Sequence, residues 1–273
     1  MAGRLARLGI AQRLIVEDIS QDPGLPDTDV RTVTGYDDAE SLTAALADVE
    51  TLFLIPVRER PDRVRQHESA VDAALAAGVN RIVYSSFLAA APDAAFTLAR
   101  DHYATEEYIR ARGIPFTFVR GSAYLEVIHW LIGPEGVIRG PAGDGRLAPV
   151  ARDDMADTAA AILTSPAAHD GQTYDVTGPQ AVSLREVAAE FTRASGRQVT
   201  YVEETPEQPR ASRRTYGAPD WQVEAWVSTY LQIANGELDV VSDTVPRLTG
   251  HPALSLPDYL ARHPEDYERL LRS

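Results

Sequence analysis

The stretch TLFLIPVRERPDRVRQHESAVDAALAAGVNRIVYSS, residues 51–86, decides the fold. It opens with an apolar run at Thr51–Val57 and closes with a second one at Arg81–Ser86, and each run has the length of a strand. Between them, Pro61–Ala77 carries apolar residues at helical spacing, and Gly78 stands where a helix-ending glycine belongs. Runs that are apolar almost throughout are typical of strands covered on both faces. The stretch therefore predicts two parallel strands joined by a crossover helix.

The same alternation continues on both sides of this stretch. It predicts strands at Arg13–Glu17, Val30–Val33 and Phe116–Arg120, and helices at Asp38–Asp48 and Thr97–Arg112. After Gly121 the pattern loosens, and the predicted elements are helices at Arg152–Leu163, Ser183–Ala194 and Trp221–Ala234 and strands at Gln172–Val176 and Val199–Val202. We predict an α/β fold, a doubly wound parallel Rossmann-type sheet with a small mixed α/β C-terminal lobe. Residues 1–150 would form the sheet domain, and residues 151–273 would add the last strands and the lobe.

Composition narrows the classes of function. The 273 residues include 40 acidic and 26 basic side chains, and the formal net charge is −14. This balance disfavours a nucleic-acid partner, because phosphate backbones bind clustered positive charge. The chain has no cysteine, and every basic side chain is arginine, so thiol and lysine catalysis are excluded. No apolar run approaches the roughly 18 residues of a membrane span, so we expect no membrane contact and a cytoplasmic protein with a small-molecule partner.

Ligands of doubly wound sheets bind beyond the carboxyl ends of the strands. The candidates at those positions are Glu17, Asp18, Tyr36, Asp37, Ile55, Pro56, Val57, Ser85, Ser86, Phe87, Gly121, Ser122, Ala123 and Tyr124. In dinucleotide-binding sheets, an acid at the end of the strand that follows the first helix often binds ribose hydroxyls and repels a 2′-phosphate. Glu17 and Asp18 can have this role, or they can be two solvated acids at a strand end. The histidines show no metal-ligand spacing, so we predict no metal site.

Several segments, taken in order, resemble the NmrA-like branch of the atypical short-chain dehydrogenase/reductase superfamily. The nearest likeness is to the type-2 quinone oxidoreductases and the triphenylmethane dye reductases. The segments are TVTGYDDAESLTAALADVETLFLIPV (32–57), AGVNRIVYSSFLAA (77–90), ARDHYATEEYIRARGIPFTFVRGSAYLE (99–126), DDMADTAAAIL (153–163), YDVTGP (174–179) and TGHPALSLPDYLARHP (249–264). No single segment is very specific, but the ordered set covers nearly the whole chain from about residue 10.

The resemblance implies an NAD(P)H-dependent reductase that passes hydride directly to quinone-like or other conjugated small molecules, with no flavin and no metal. The strand-end residues from Glu17 to Ala123, apart from Phe87, would bind the cofactor, together with His102. Glu17 stands where the resembled reductases often have an arginine, which slightly favours NADH. His102 and Tyr124 would be catalytic, and Phe87, Tyr124 and Trp130 would contact the substrate. A surface role for His102 and a core role for Trp130 are the alternatives, and a homodimer is compatible with the sequence.

The first residues, MAGRLARLGI, begin inside a helix, whereas the resembled proteins begin with an apolar strand and a glycine-rich turn that cradles the pyrophosphate. Three interpretations stay open. The start is placed too late, the chain is a degenerate relative that binds no cofactor, or the remaining strand ends bind the cofactor weakly. The alternative functions are accordingly an NAD(P)-sensing regulatory protein without catalysis and an inactive truncated relative.

Overall fold

A computed structural model describes residues 1–205, 207–213 and 217–271. Its strands are β1 (Gln12–Val16), β2 (Thr28–Thr32), β3 (Thr51–Leu54), β4 (Arg81–Phe87), β5 (Phe116–Gly121), β6 (Val137–Gly140), β7 (Arg146–Leu147), β8 (Gln172–Val176), β9 (Val182–Ser183) and β10 (Thr200–Glu203). Its helices are α1 (Ala2–Arg7), α2 (Ala39–Ala45), α3 (Arg63–Ala76), α4 (Thr97–Ala111), α5 (Leu125–Ile128), α6 (Arg152–Thr164), α7 (Leu184–Ser195), α8 (Gln208–Arg213), α9 (Asp220–Ala234), α10 (Thr244–Thr249), α11 (Leu256–Arg262) and α12 (Glu265–Leu271).

The strands confirm the predicted α/β fold with parallel pairing. β1 runs parallel to β2, with Leu14 opposite Val30, and β3 runs parallel to β4, with Phe53 opposite Val83. The larger sheet has the strand order β3-β4-β5-β8, whereas β1 and β2 form a separate two-stranded sheet. Within the described residues, β1 and β3 therefore each present one edge that no other strand pairs.

The chain divides into two compact units that interleave along the sequence. The first unit comprises Met1–Ser86, Asp101–Arg120 and Ala156–Tyr174, and the second comprises Phe87–Arg100, Gly121–Met155 and Asp175–Ser273. The structure thus groups the chain differently from the division at residue 150, which stays a prediction about domains.

The first unit has a core of strand and helix residues. Ile82 and Tyr84 of β4, Phe118 of β5, Val71 of α3 and Ile109 of α4 are all fully buried. Full burial of a side chain of this size stabilises the fold by about 1.5–3 kcal/mol. These residues come from the apolar runs and helical stripes of the sequence, so the core lies where the periodicity predicts it.

Strand β3 ends earlier than the apolar run that predicts it. It stops at Leu54, although the run continues to Val57. Pro56 has no N–H to donate to a neighbouring strand. The N–H of Val57 donates to His67 Nε2 at 3.1 Å, and its carbonyl accepts from Arg63 Nε at 3.1 Å. The backbone at Val57 is thus bonded to α3 side chains instead of to a strand.

The second unit contains a larger apolar core and two small sheets. β6 pairs with β10 in parallel, and β7 pairs with β9 in antiparallel orientation. Helix α7 begins at the predicted capping box, in which Ser183 and Glu186 each bond the backbone of the other. Helices α8, α10, α11 and α12 were not predicted. No helix within the described ranges is long and apolar enough to cross a membrane.

Candidate functional site

Three of the predicted cofactor residues come together at the strand ends of the first unit. Tyr36, which follows β2, donates its hydroxyl to the carbonyl of Ile55, which follows β3, at 2.8 Å. Burial, and then the negative charge of Glu17 at the end of β1, raise the pKa of Tyr36 to about 12. The carboxyl ends of β1, β2 and β3 therefore contribute to one place, as the fold class predicts.

The acids near these strand ends have different roles. Asp18 caps the short 3-10 helix Ile19–Gln21 and accepts from the backbone N–H of Ser20 at 2.8 Å, and this bond lowers its pKa. Asp38 caps α2, whereas the carboxylate of the neighbouring Asp37 is exposed. An open groove here is lined by residues of both strand ends and α2, namely Glu17, Asp18, Ile19, Val30, Arg31, Thr32, Ser41, Ala44 and Ala45.

His102 lies buried on α4, with both ring nitrogens bonded to protein groups. Nε2 is 3.0 Å from Arg63 Nη2, and Nδ1 is 2.9 Å from the Tyr84 hydroxyl. Because a guanidinium can only donate, Nε2 must accept, and the ring proton of a neutral His102 resides on Nδ1. Burial and the charge of Arg63 lower the pKa of His102 well below its ordinary value. His102 is thus a neutral imidazole here, and its catalytic role stays a prediction that requires Arg63 to move.

A second buried histidine links the end of β3 to α4. His67 Nε2 accepts from the Val57 N–H, so Nδ1 carries the proton and donates to Thr105 Oγ1 at 2.8 Å. The Thr105 hydroxyl in turn donates to the carbonyl of Asp101 at 2.9 Å. Burial and Arg63 lower the pKa of His67 to about 3. Val57, a predicted cofactor residue, is therefore fixed through its backbone by α3.

Ser85 and Ser86 face opposite sides of β4, as successive strand residues do. The Ser86 hydroxyl donates to Glu106 Oε1 at 2.6 Å, and Glu106 is fully buried. Arg120, on β5, holds the same carboxylate with two bonds of 2.8 and 2.6 Å. Ser85 is half-buried, and its hydroxyl has no hydrogen bond within the part of the chain that the structure describes. Of Ser85 and Ser86, only Ser85 keeps its hydroxyl available.

In the second unit, the predicted stretch Gly121–Ala123 is held by its backbone. Ser122 donates its N–H to Val176 at 3.0 Å, and the carbonyl of Ala123 accepts from Val150 at 2.9 Å. A Cβ at Gly121 would lie 2.9 Å from the end of the Met155 side chain, so a larger residue would require that side chain to shift. The Ser122 hydroxyl is buried and has no hydrogen-bond partner among the described residues.

The predicted substrate residues of the second unit differ in exposure. Tyr124 is half-buried, and the Arg152 guanidinium carbon lies 5.3 Å from the centre of its ring. Phe87 is also half-buried, with its ring centre 5.2 Å from that of Phe96. Trp130 is 70% exposed and makes an edge contact with His129, so its side chain is not part of the core.

Sequence reasoning missed the polar residues behind the strand ends, namely Arg63, His67, Tyr84, Thr105, Glu106 and Arg120. Two signals were available. His102 and Glu106 lie four residues apart on α4, which places them on one face, and Arg120 interrupts an apolar strand. Within the described ranges, no group of three histidine, aspartate or glutamate side chains is arranged to hold a metal ion.

Comparisons with known proteins agree with this architecture. The model of the NmrA-like family matches residues 25–211. Quinone oxidoreductase 2 of Escherichia coli K12 is 36% identical over 226 residues, which cover 81% of this chain and 78% of that protein. NAD(P)H azoreductase of Xenophilus azovorans is 31% identical over 255 residues, 92% of this chain and 88% of that protein.

A solved structure of comparable similarity gives the same result. The NADPH complex of an NADPH-dependent quinone oxidoreductase from Escherichia coli superposes with a TM-score of 0.83 at 34% identity. The match covers 92% of this chain and 89% of the other. The resemblance predicted from the ordered segments is thereby confirmed, and the chain belongs to the NmrA-like family.

Proposed function

We propose that this protein is an oxidoreductase that uses NAD(P)H to reduce quinones or other flat conjugated molecules. The observation that carries the proposal is the convergence of Glu17, Tyr36 and Ile55 at the ends of three strands in the first unit. Doubly wound folds bind dinucleotides beyond the carboxyl ends of their strands. The similar proteins are named as a quinone oxidoreductase and an azoreductase, which supports the same class of reaction.

The groove at β1 and β2 suits the adenosine half of a dinucleotide. The Glu17 carboxylate can accept hydrogen bonds from ribose hydroxyls, and the same negative charge would repel a 2′-phosphate. The exposed Asp37 can accept from an adenine amino group, and the side chain of Ile55 is 53% exposed and can pack on a sugar. We therefore propose NADH as the preferred cofactor.

The chain's own residues supply orientation instead of strong acid catalysis. The nicotinamide cofactor, when bound, supplies the hydride. In the first unit, Ser85 offers a hydroxyl that can polarise a carbonyl. In the second unit, Phe87 and Tyr124 offer aromatic faces for a flat molecule. The reduced form of a quinone is stabilised electronically, so hydride transfer to a quinone requires little proton donation from the protein. We propose that neutral His102, with its proton at Nδ1, anchors α4 through Tyr84 and Arg63.

Binding and turnover test the proposal. The purified chain is titrated with NADH and NADPH by calorimetry, and menadione is then added while the nicotinamide absorbance is followed. We expect saturable binding, with NADH bound more tightly, and oxidation of the cofactor that depends on menadione. Binding without turnover would instead support a regulatory sensor, and a folded chain that binds neither cofactor would refute the proposal. Location in the cytoplasm and assembly as a homodimer are also proposals, and light scattering tests the second.

A further inference from the structure

Arg152, the first residue of α6, combines a guanidinium that is unpaired among the described residues with a position beside an aromatic ring. Its guanidinium forms no ion pair or hydrogen bond within the described ranges, and its side chain is exposed. Its contact is the ring of Tyr124, at 5.3 Å from the guanidinium carbon to the ring centre. In a chain with 40 acidic and 26 basic side chains, most arginines of the structure are paired with acids. An arginine over an aromatic ring keeps its in-plane N–H groups available for hydrogen bonds.

The backbone fixes Arg152 and Tyr124 relative to each other. Val150 donates its N–H to the carbonyl of Ala123 at 2.9 Å, and its own carbonyl accepts from Leu125 at 3.0 Å. These two bonds are made by the residues on either side of Tyr124, which pairs with Val150 as a parallel bridge. Because the segments on both sides of the pair are hydrogen-bonded, little ordering is required when a ligand binds there.

Glu126 contacts the start of α6 but does not neutralise the Arg152 guanidinium. Glu126 Oε1 accepts from the backbone N–H of Arg152 at 2.9 Å, and Glu126 forms no ion pair with the Arg152 side chain. The other oxygen, Oε2, is buried without a hydrogen-bond partner in the described chain. Glu126 therefore holds the main chain at the start of α6 and leaves the positive charge of Arg152 for another group.

We propose that Arg152 and Tyr124 form a subsite for the acidic substituent of a flat substrate. A ring that packs at Tyr124 would place a sulfonate, carboxylate or phosphate within reach of the guanidinium, whose fork matches the paired oxygens of such groups. Arg152 is then a residue that determines specificity for acidic over neutral conjugated substrates. This inference rests on the proposed function, because that function places a substrate against Tyr124.

Turnover of a matched pair of quinones tests the subsite. The probes are 1,2-naphthoquinone and its 4-sulfonate, assayed at low ionic strength because salt screens exposed charges. We expect Arg152→Leu to lower the preference in kcat/KM for the sulfonate by about tenfold, and Arg152→Lys to retain part of it. Arg262→Leu is the matched control, since Arg262 is also exposed and has no ion pair or hydrogen bond among the described residues. An unchanged preference in Arg152→Leu, or an equal loss in the control, would overturn the proposal.

Equilibrium binding separates this inference from the proposed reaction. Naphthalene-2-sulfonate and the neutral naphthalene-2-sulfonamide contain no quinone and accept no hydride, so calorimetry with the full chain measures binding at the subsite alone. We expect tighter binding of the sulfonate by the parent chain and about equal binding of the two by Arg152→Leu. If the chain reduces no quinone but still distinguishes the two probes through Arg152, the reaction is refuted and the subsite stands. If neither probe is preferred, the subsite is refuted whatever the turnover.

Discussion

Replacement of Arg120 by methionine should strongly destabilise the first unit. Arg120 holds the carboxylate of Glu106 with bonds of 2.8 and 2.6 Å, and the Glu106 side chain has no exposed surface. Methionine fills much of the same volume but cannot donate a hydrogen bond. The substitution would leave a buried carboxylate without its main counter-charge, which is the costly way to disrupt an ion pair.

The structure sets the size of this effect. Removal of one partner of a buried pair typically costs about 3–5 kcal/mol. Three features place Arg120→Met near the lower end of that range. The Arg120 side chain is 20% exposed, so water can partly replace it. Ser86 still donates to Glu106 at 2.6 Å, and Arg110 Nη2 remains 3.4 Å from Glu106 Oε2. We expect a loss of about 3 kcal/mol, a large fraction of a typical stability of about 5–15 kcal/mol.

Urea unfolding followed by far-ultraviolet circular dichroism measures the change. Tryptophan fluorescence is unsuitable, because all three tryptophans lie in ranges of the second unit. The matched control is Arg193→Met, which removes an exposed pair with Glu190 at 2.7 Å and should cost less than about 1 kcal/mol. The double variant Arg120→Met/Glu106→Met should regain most of the loss, because it removes both charges together.

Two results would refute this reasoning. If Arg120→Met costs no more than Arg193→Met, the carboxylate of Glu106 is not dependent on Arg120. If the double variant is as unstable as the single one, the loss comes from packing and not from an unpaired charge. Either result would also remove the explanation for the fixed hydroxyl of Ser86.

Three further predictions concern the same edge of the first unit. The folded-state pKa values of His67 and His102 lie below the unfolded value. Their contribution to stability is therefore complete above about pH 6.5 and declines on acidification, by up to about 1.4 kcal/mol per pH unit for each histidine. Urea unfolding at several pH values checks this, and His67→Gln should reduce the slope of the unfolding free energy against pH. Ser85→Ala should lower turnover with little change in stability, whereas Ser86→Ala removes a hydrogen bond to a buried carboxylate and should lower stability by about 1.5–3 kcal/mol; parallel kinetics and unfolding check both. Glu17→Arg should shift the preference from NADH toward NADPH by about tenfold or more in the ratio of calorimetric binding constants, and an unchanged ratio would contradict the placement of the ribose at Glu17.

The elements that the sequence predicted are those whose cause is local. Asp38 caps α2 through the N–H of Ser41, and Ser183 exchanges bonds with Glu186, so each cap depends on residues three positions apart. Apolar runs and helical stripes likewise depend on neighbours within one or two turns. The boundaries differ by a few residues where a distant side chain competes, as at Val57, whose N–H donates to His67 instead of to a strand.

The polar network could not be predicted because its partners are distant in sequence. Arg63 and His102 are 39 residues apart, and Ser86 and Glu106 are 20 residues apart. Spacing on α4 shows that His102 and Glu106 share a face, but it does not show that the face is buried. An amphipathic helix normally turns its polar face to water. The pattern alone therefore predicts that His102 and Glu106 face solvent, whereas both are buried.

This network divides the strand-end residues into two groups with different uses. The backbone N–H of Val57 donates to His67, and the hydroxyl of Ser86 donates to Glu106. These polar groups therefore hold the edge of the sheet in place and are not available to a ligand. Ser85 is half-buried, and its hydroxyl has no hydrogen bond within the described chain, so it is available to a ligand. Position at a strand end therefore does not by itself identify a ligand-binding group. Alternation along β4 decides which serine is structural, because one residue of register separates a side chain that meets α4 from one that faces away. A ligand at this edge would meet Ser85 first, and the contrast between the two alanine variants tests that division directly.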